Sequence, residues 1–311
     1  MPSAQVSEQL HWIAADWGTS SLRLWAMGRD GAVLARAASQ DGMGGLSPER
    51  YEPILLSLAG HWLPASPAQP VPVMICGMAG ARQGWKEAAY RAVPCTPVSG
   101  GGMAAVATAD TRIAVSIVPG LSQAIPADVM RGEETQLAGL VAQLGNTDAI
   151  ACLPGTHSKW VRIEGGQVVT FTTVMTGEIF ALMAGHSVLR HSVASRGEDR
   201  RAFAAAVCEM LDLPERLTAS LFSVRAGSLL SGTGGAHGRS RLSGLLIGAE
   251  LAAMRPLWTG RPVHLVGAGN LSATYGEALR IAGGEVVIEM GEALTLAGLR
   301  SAHAAMMQEV A

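Results

Sequence analysis

Aromatic residues make up only 5 % of this 311-residue chain and charged residues only 15 %, with a formal net charge of −2. No basic excess is left to neutralise a phosphate backbone, so nucleic-acid binding is excluded as an expectation. The four cysteines (Cys76, Cys95, Cys152, Cys208) include no C-x-x-C pair. No H-x-x-x-H or clustered His/Asp set stands beside them, which argues against a zinc site and a metal-dependent hydrolase. Buried free thiols in a reducing cytoplasm are the expectation. The first ten residues lack the basic and apolar regions of a signal peptide, and no uncharged apolar run reaches the ~18 residues of a membrane span. A cytoplasmic protein without membrane attachment is therefore expected.

Apolar residues, at 49 %, and glycine, at 38 residues, are what the chain has in quantity. Many glycines punctuate short apolar runs, the texture of an α/β protein, and the length favours about two domains. Trp12-Ile13-Ala14-Ala15 ends at Asp16, turns through Gly18-Thr19-Ser20-Ser21 and resumes as Leu22-Arg23-Leu24-Trp25, which predicts a strand hairpin. Further strands are expected at 32–35, 71–76, 111–118, 149–153, 160–163, 168–171, 262–266 and 285–288. Helices are expected at 48–63 and 131–144, through most of 175–255, from Leu271 or Ser272, and from Glu292. The glycine-rich stretch 231–238 reads as a flexible connection.

One repeat organises this pattern. The unit at 14–25 recurs at 152–163, with Gly155-Thr156-His157-Ser158 matching Gly18-Thr19-Ser20-Ser21 and a cation, Lys159 or Arg23, close behind each. Two similar lobes are expected, 1–145 and 146–311. A Gly-Thr/Ser turn between strands aims backbone N–H groups and hydroxyls into one concavity, a nest for phosphate. Two such turns and a late Gly-x-Gly turn at Gly267-Ala268-Gly269 describe a nucleotide held between two lobes. Asp16, at the end of a buried strand, suits Mg²⁺, which needs one or two carboxylates and keeps its waters. Lys159 and Arg23 are cations able to offset charge on a transferred phosphoryl group.

A kinase acting on an alcohol needs a carboxylate to take the hydroxyl proton. Glu133 and Glu134 stand together at a helix start, where successive side chains point ~100° apart, so one of the two can face a substrate. The loop G-M-A-G-A-R-Q-G-W-K (77–86) carries Arg82, suited to a carboxylate, and Trp85, which either stacks on a sugar or packs beneath its own loop.

The segments I-A-A-D-W-G-T-S-S-L-R-L-W (13–25), G-M-A-G-A-R-Q-G-W (77–85), M-R-G-E-E-T-Q-L-A-G (130–139), L-P-G-T-H-S-K-W (153–160), M-T-G-E (175–178), L-F-S-V-R-A (221–226) and L-S-G-L-L-I-G-A-E-L (242–251) resemble the 2-dehydro-3-deoxygalactonokinase family. The likeness runs from about Ile13 to Leu299. It implies a two-lobed α/β fold of the actin/hexokinase (ribonuclease H-like) kind, with a mixed sheet in each lobe and the ATP cleft between. It further implies Mg²⁺- and ATP-dependent phosphorylation of 2-dehydro-3-deoxy-D-galactonate at its 6-hydroxyl, in galactonate catabolism. On the family pattern, 16–21 and 155–159 are the phosphate motifs and Gly267, Gly269 and Leu271 belong to the adenosine motif. The base falls at Gly132-Glu133, where related sugar kinases carry Gly-Asp. Arg82, Gln83, Gly84 and Trp85 form the expected sugar-acid loop. A related kinase with another sugar or sugar acid, and an ATP-binding switch of the same fold, are the competing expectations.

Overall fold

The computed structural model of the protein describes residues 3–145, 147–194, 196–267 and 269–310. The chain divides into two compact units. The first comprises Met1–Thr147, Glu164–Val169 and Gly291–Ala311; the second comprises Asp148–Ile163 and Thr170–Met290. Asn146, at the expected lobe boundary, and Ala268, in the expected Gly-x-Gly turn, lie outside the described residues.

Up to the boundary the order is α1 (Ser3–Gln9), β1 (Leu10–Trp17), β2 (Leu22–Gly28), β3 (Val33–Ser39), α2 (Tyr51–Ala59), β4 (Val71–Gly77), β5 (Tyr90–Ala92), β6 (Ala104–Val106), β7 (Ile113–Ile117), β8 (Gly120–Gln123), β9 (Asp128–Met130) and α3 (Glu133–Leu144). Beyond it come β10 (Ala149–Leu153), β11 (Ser158–Glu164), β12 (Gln167–Val174), α4 (Thr176–His186), α5 (Arg200–Asp212), α6 (Leu217–Ser231), α7 (Gly235–Ala253), α8 (Arg255–Trp258), β13 (Val263–Gly267), α9 (Gly269–Ile281), β14 (Val286–Met290) and α10 (Gly291–Val310).

The main sheet of the first unit has the order β3-β2-β1-β4-β7-β6, and the second sheet the order β12-β11-β10-β13-β14. In the first, β1, β2 and β3 are antiparallel neighbours, while β4 and β7 continue parallel to β1. In the second, β10 pairs antiparallel with β11 and parallel with β13, which pairs parallel with β14. Each sheet thus starts from a hairpin and extends by parallel strands, the expected ribonuclease H-like arrangement in both units.

Strand β1 explains its own composition. Ile13, Ala15 and Trp17 point into a core shared with Leu24, Tyr51, Leu55, Trp62 and Ile75, while Trp12 and Ala14 point into the opposite core with Met74, Leu296 and Leu299. A strand covered on both faces reads as a continuous apolar run rather than an alternation. The second of these cores requires α10, which packs against α3, β1 and β4. A division at 145/146 assigns α10 to the C-terminal lobe, whereas the fold returns it to the first unit.

Three other expectations need adjustment. Helices α6 and α7 run into the glycine-rich stretch from both sides, and α7 begins at Gly235. Its first turn is tied down: Gly235 accepts from the Ala194 N–H at 3.0 Å, and His237 Nδ1 lies 2.9 Å from the Asp199 carboxylate. The four cysteines are free, but only Cys76 and Cys152 are buried; Cys208 faces solvent on the polar side of α5. The short strands β5, β6, β8 and β9, three or four residues each, are too brief to show a periodicity.

Candidate functional site

In the first unit, β1 delivers Asp16 to the end of the sheet, opposite Arg23 on β2 and beside Cys76 on β4. Arg23 donates to Oδ2 of Asp16, while Oδ1 has the Cys76 thiol at 3.8 Å. Burial raises the Cys76 thiol well above its ordinary range, helped by the negative charge of Asp16 and Glu134. The turn that follows closes through Gly18 N–H to Ser21 O at 2.9 Å, leaving Thr19 and Ser20 exposed.

A second segment lies against this turn. Met43 N–H donates to Gly18 O and Gly44 N–H to Thr19 O, both at 3.0 Å. A Cβ at Gly42 would stand 2.2 Å from Thr19 O, so backbone passes over backbone there with no room for a side chain. The residues 42–45 were not among the expected site residues. Their signal was a Gly-Met-Gly-Gly run directly after the third strand.

Glu133 and Glu134 open α3 and part company, as their spacing requires. Glu133 is half-buried, and its Oε2 accepts from Arg131 N–H at 3.0 Å. Glu134 is fully buried; its carboxyl meets Gly132 N–H at 2.6 Å and the Thr135 hydroxyl at 2.9 Å. Burial, with the nearby charge of Glu133, pushes Glu134 up to about 8. Gly77 and Gly132 draw close at this point: a Cβ at Gly132 would lie 3.4 Å from the Gly77 Cα. Gly77 itself holds φ 90°, and a Cβ on it would press to 2.7 Å from Trp17 O.

In the loop after β4, Arg82 and Gln83 are exposed, Gly84 is buried and Trp85 is half-buried. The Trp85 ring stacks on Tyr51 at 5.7 Å and 20° and meets Trp17 edge-on at 6.1 Å. One face of Trp85 thus anchors the loop to the core.

In the second unit, the turn 155–158 carries Thr156 and His157 outward and Ser158 inward. His157 Nε2 lies 2.5 Å from the Glu178 carboxylate, and Glu178 N–H donates to Thr156 O at 2.9 Å, so the start of α4 is clamped to the turn. Ser158 is buried with its hydroxyl 2.8 Å from Tyr275 Oη, and Lys159, also buried, donates from Nζ to Thr173 at 2.7 Å. Beneath them Glu250 of α7 accepts from Trp160 Nε1 at 2.8 Å, from Tyr275 Oη at 2.7 Å and from Thr176 Oγ1. Burial raises the Glu250 carboxyl and these donors counter it.

A cavity of about 560 Å³ lies in the same unit. It is lined by Gly155, Thr176 and Gly177 together with Asn270, Leu271 and Thr274 of α9, with Phe180, Phe203, Leu246 and Ile247 as apolar wall. Two separated expectations, Gly155 and Leu271, therefore meet in one space; Gly267 and Gly269 frame the entry to α9 beside it. The volume is that of a small-molecule site, and the lining joins this apolar wall to many polar and charged side chains, Glu198, Asp199 and Glu277 among them. Sequence reasoning missed the Arg196, Arg200 and Arg239 side chains at this cavity, the last lying 5.0 Å over the Phe180 ring. No local pattern marks them. Among the described residues no group of three or more His, Cys, Asp or Glu is arranged to hold a metal, and no helix is long and apolar enough to cross a membrane.

A family model described as 2-keto-3-deoxy-galactonokinase matches residues 16–302. A Rhizobium meliloti (strain 1021) protein named "Probable 2-dehydro-3-deoxygalactonokinase DgoK1" is 44 % identical over 95 % of this chain and 97 % of its own. The 2-dehydro-3-deoxygalactonokinase of Escherichia coli (strain K12) is 35 % identical over 94 % of this chain and 98 % of its own. Among solved structures, a candidate 2-dehydro-3-deoxygalactonokinase from Sinorhizobium meliloti superposes with a TM-score of 0.86 at 43 % identity, covering 94 % of this chain and 96 % of that one. The (R)-2-hydroxyglutaryl-CoA dehydratase component A of Acidaminococcus fermentans, 11 % identical, shares the fold alone, with a TM-score of 0.51 over 96 % and 99 % of the chains.

Proposed function

The chain belongs to the 2-keto-3-deoxy-galactonokinase family, and on that premise we propose that it transfers the γ-phosphoryl group of ATP to the 6-hydroxyl of 2-dehydro-3-deoxy-D-galactonate, with Mg²⁺, in galactonate catabolism. The observation that carries the nucleotide part is the cavity in which the turn at Gly155 meets Asn270 and Leu271. Outward backbone of the turn and the start of α4 receive phosphate, and the apolar wall receives the base. His157 and Thr156 stand at the exposed edge of that turn.

The first unit supplies the acceptor chemistry. Glu133, the accessible member of the glutamate pair, takes the hydroxyl proton, while Glu134 stays inside and holds the entry to α3. Arg82, exposed on its loop, meets the substrate carboxylate, and Gln83, Gly84 and Trp85 shape the approach. Asp16 fits a hydrated Mg²⁺: its side chain is 16 % exposed, one oxygen is held by Arg23, and the other has only a weak thiol contact. A single carboxylate suffices for an ion that keeps waters and phosphate oxygens as its other ligands. When bound, the ion supplies positive charge at the transferred phosphates. Arg23 and the turn 18–21 orient this end of the sheet.

The test is ADP release with 2-dehydro-3-deoxygalactonate, its gluconate epimer and glucose, with the product's phosphate position read by NMR. Turnover confined to the galactonate derivative and a 6-phosphate product are expected. Turnover of glucose alone replaces the substrate, and nucleotide binding without turnover of any of the three favours an ATP-binding switch.

A further inference from the structure

Two of the segments set out above, M-T-G-E (175–178) and L-S-G-L-L-I-G-A-E-L (242–251), have parts that the phosphoryl-transfer scheme leaves without a task. They meet the buried half of L-P-G-T-H-S-K-W (153–160) at one side chain, Glu250. That residue is 3 % exposed. Trp160 of β11, Thr176 of α4 and Tyr275 of α9 all donate to its two carboxylate oxygens. A carboxylate is costly in an interior, and an apolar residue of similar size often serves stability as well. What an apolar residue lacks is direction.

The direction here can be followed atom by atom. The indole N–H of Trp160 can only donate, which makes Oε1 an acceptor. With Glu250 as a carboxylate, the Tyr275 hydroxyl gives its one proton to Oε2, and its oxygen is then left to accept from the Ser158 hydroxyl 2.8 Å away. Ser158 is buried against Tyr275, so the phosphate turn presents backbone rather than this hydroxyl. Thr176 and Tyr275, both held by Oε2 of this carboxylate, line the cavity that Gly155 also lines.

We propose that Glu250 is a positioning residue for the kinase reaction: without touching the nucleotide, it sets where the 155–158 turn, the first turn of α4 and Tyr275 stand around the nucleotide cavity. The reaction it serves rests on the function proposed above; the geometry it controls concerns nucleotide binding alone.

The test uses the whole protein and four variants, Glu250→Leu, Glu250→Gln, Tyr275→Phe and Thr176→Val. Dissociation constants for a non-hydrolysable ATP analogue come from calorimetry, with KM for ATP, KM for the sugar acid, kcat and melting temperature alongside. Glu250→Leu is expected to weaken analogue binding at least tenfold and to raise KM for ATP, with KM for the sugar acid within about twofold of the parent. Glu250→Gln is expected to recover most of the loss. Its amide oxygen still accepts from Trp160, and its amide N–H groups can donate to the Tyr275 and Thr176 oxygens once those hydroxyls reverse. Tyr275→Phe and Thr176→Val each cut one arm, and several-fold weakening is expected from either. A Glu250→Leu protein that melts lower yet binds the analogue like the parent overturns the proposal, because that is what a purely structural role produces. If Glu250→Leu does not fold, Tyr275→Phe and Thr176→Val decide, and parental analogue binding in both overturns it. A parent that binds the analogue but phosphorylates no sugar acid sinks the kinase reading and leaves the Glu250 measurement standing on binding.

Discussion

Asp16 and Arg23 face each other across the first hairpin as paired residues of β1 and β2, and the Arg23 guanidinium that donates to Asp16 also stands 3.7 Å from Glu292 of α10. A strand-end carboxylate that would otherwise swing is held by a cation whose own position is shared with a second acid. The arrangement leaves the second oxygen of Asp16 with only the Cys76 thiol, 3.8 Å away.

Asp16→Asn is expected to lower kcat by ~10²-fold or more while analogue binding changes little, since the amide keeps the shape and loses the charge. The coupled ADP assay and calorimetry check the two halves separately. An Asp16→Asn enzyme with near-parental kcat removes Asp16 from the reaction.

Tyr51 offers a stability prediction. Its ring is fully buried between Trp17 and Trp85, its hydroxyl has no hydrogen-bond partner, and burial pushes the phenol up to about 12. Tyr51→Phe removes a group whose desolvation nothing offsets, so the variant should be as stable as the parent or more stable by ~1 kcal/mol. Urea denaturation measures it; a clear loss of stability means that the hydroxyl has an acceptor in solution.

Glu134 ties stability to pH. Its carboxyl stands at about 8 in the folded protein against an ordinary 4.5. The folded state keeps this proton where the unfolded chain has released it. The stabilising contribution is therefore complete below 4.5 and is lost as pH rises through about 8. Glu134→Gln fixes the neutral form, and its stability should fall less than the parent's between pH 6 and 9, by on the order of a few kcal/mol. Parallel curves for the two proteins would show that the buried carboxyl is already ionised at neutral pH.

Gly42→Ala places a methyl where the Thr19 carbonyl oxygen stands 2.2 Å away. Backbone cannot yield as a side-chain tip can, so the segment 42–45 must lift from the turn 18–21. A loss of ~1–3 kcal/mol is expected, together with lower kcat, because the lifted segment no longer holds the turn beside Asp16. Unchanged stability and unchanged kcat would mean that the segment only rests on the turn.

Much of this architecture is local, and the sequence alone determined it. Apolar runs such as 12–15 and 149–153, each stopped by a polar turn, define strands because alternation, burial and chain reversal act over a few residues. The matching turns at 18–21 and 155–158 define the repeat, and Glu133-Glu134 mark a helix start. Tertiary structure decided what depends on residues far apart in the chain. It decided that Glu134 is buried and Glu133 only half-buried, that Ser158 meets Tyr275, 117 positions away, and that Trp85 lies on Tyr51. It returned α10 to the first unit, because the apolar face of β1 with Trp12 and Ala14 needs Leu296 and Leu299 to exclude water. It also brought Arg239 and Phe180 to the cavity wall beside Gly155. A window of ten residues contains the propensity of each side chain but not its neighbour across the core, and these features are set by the neighbour.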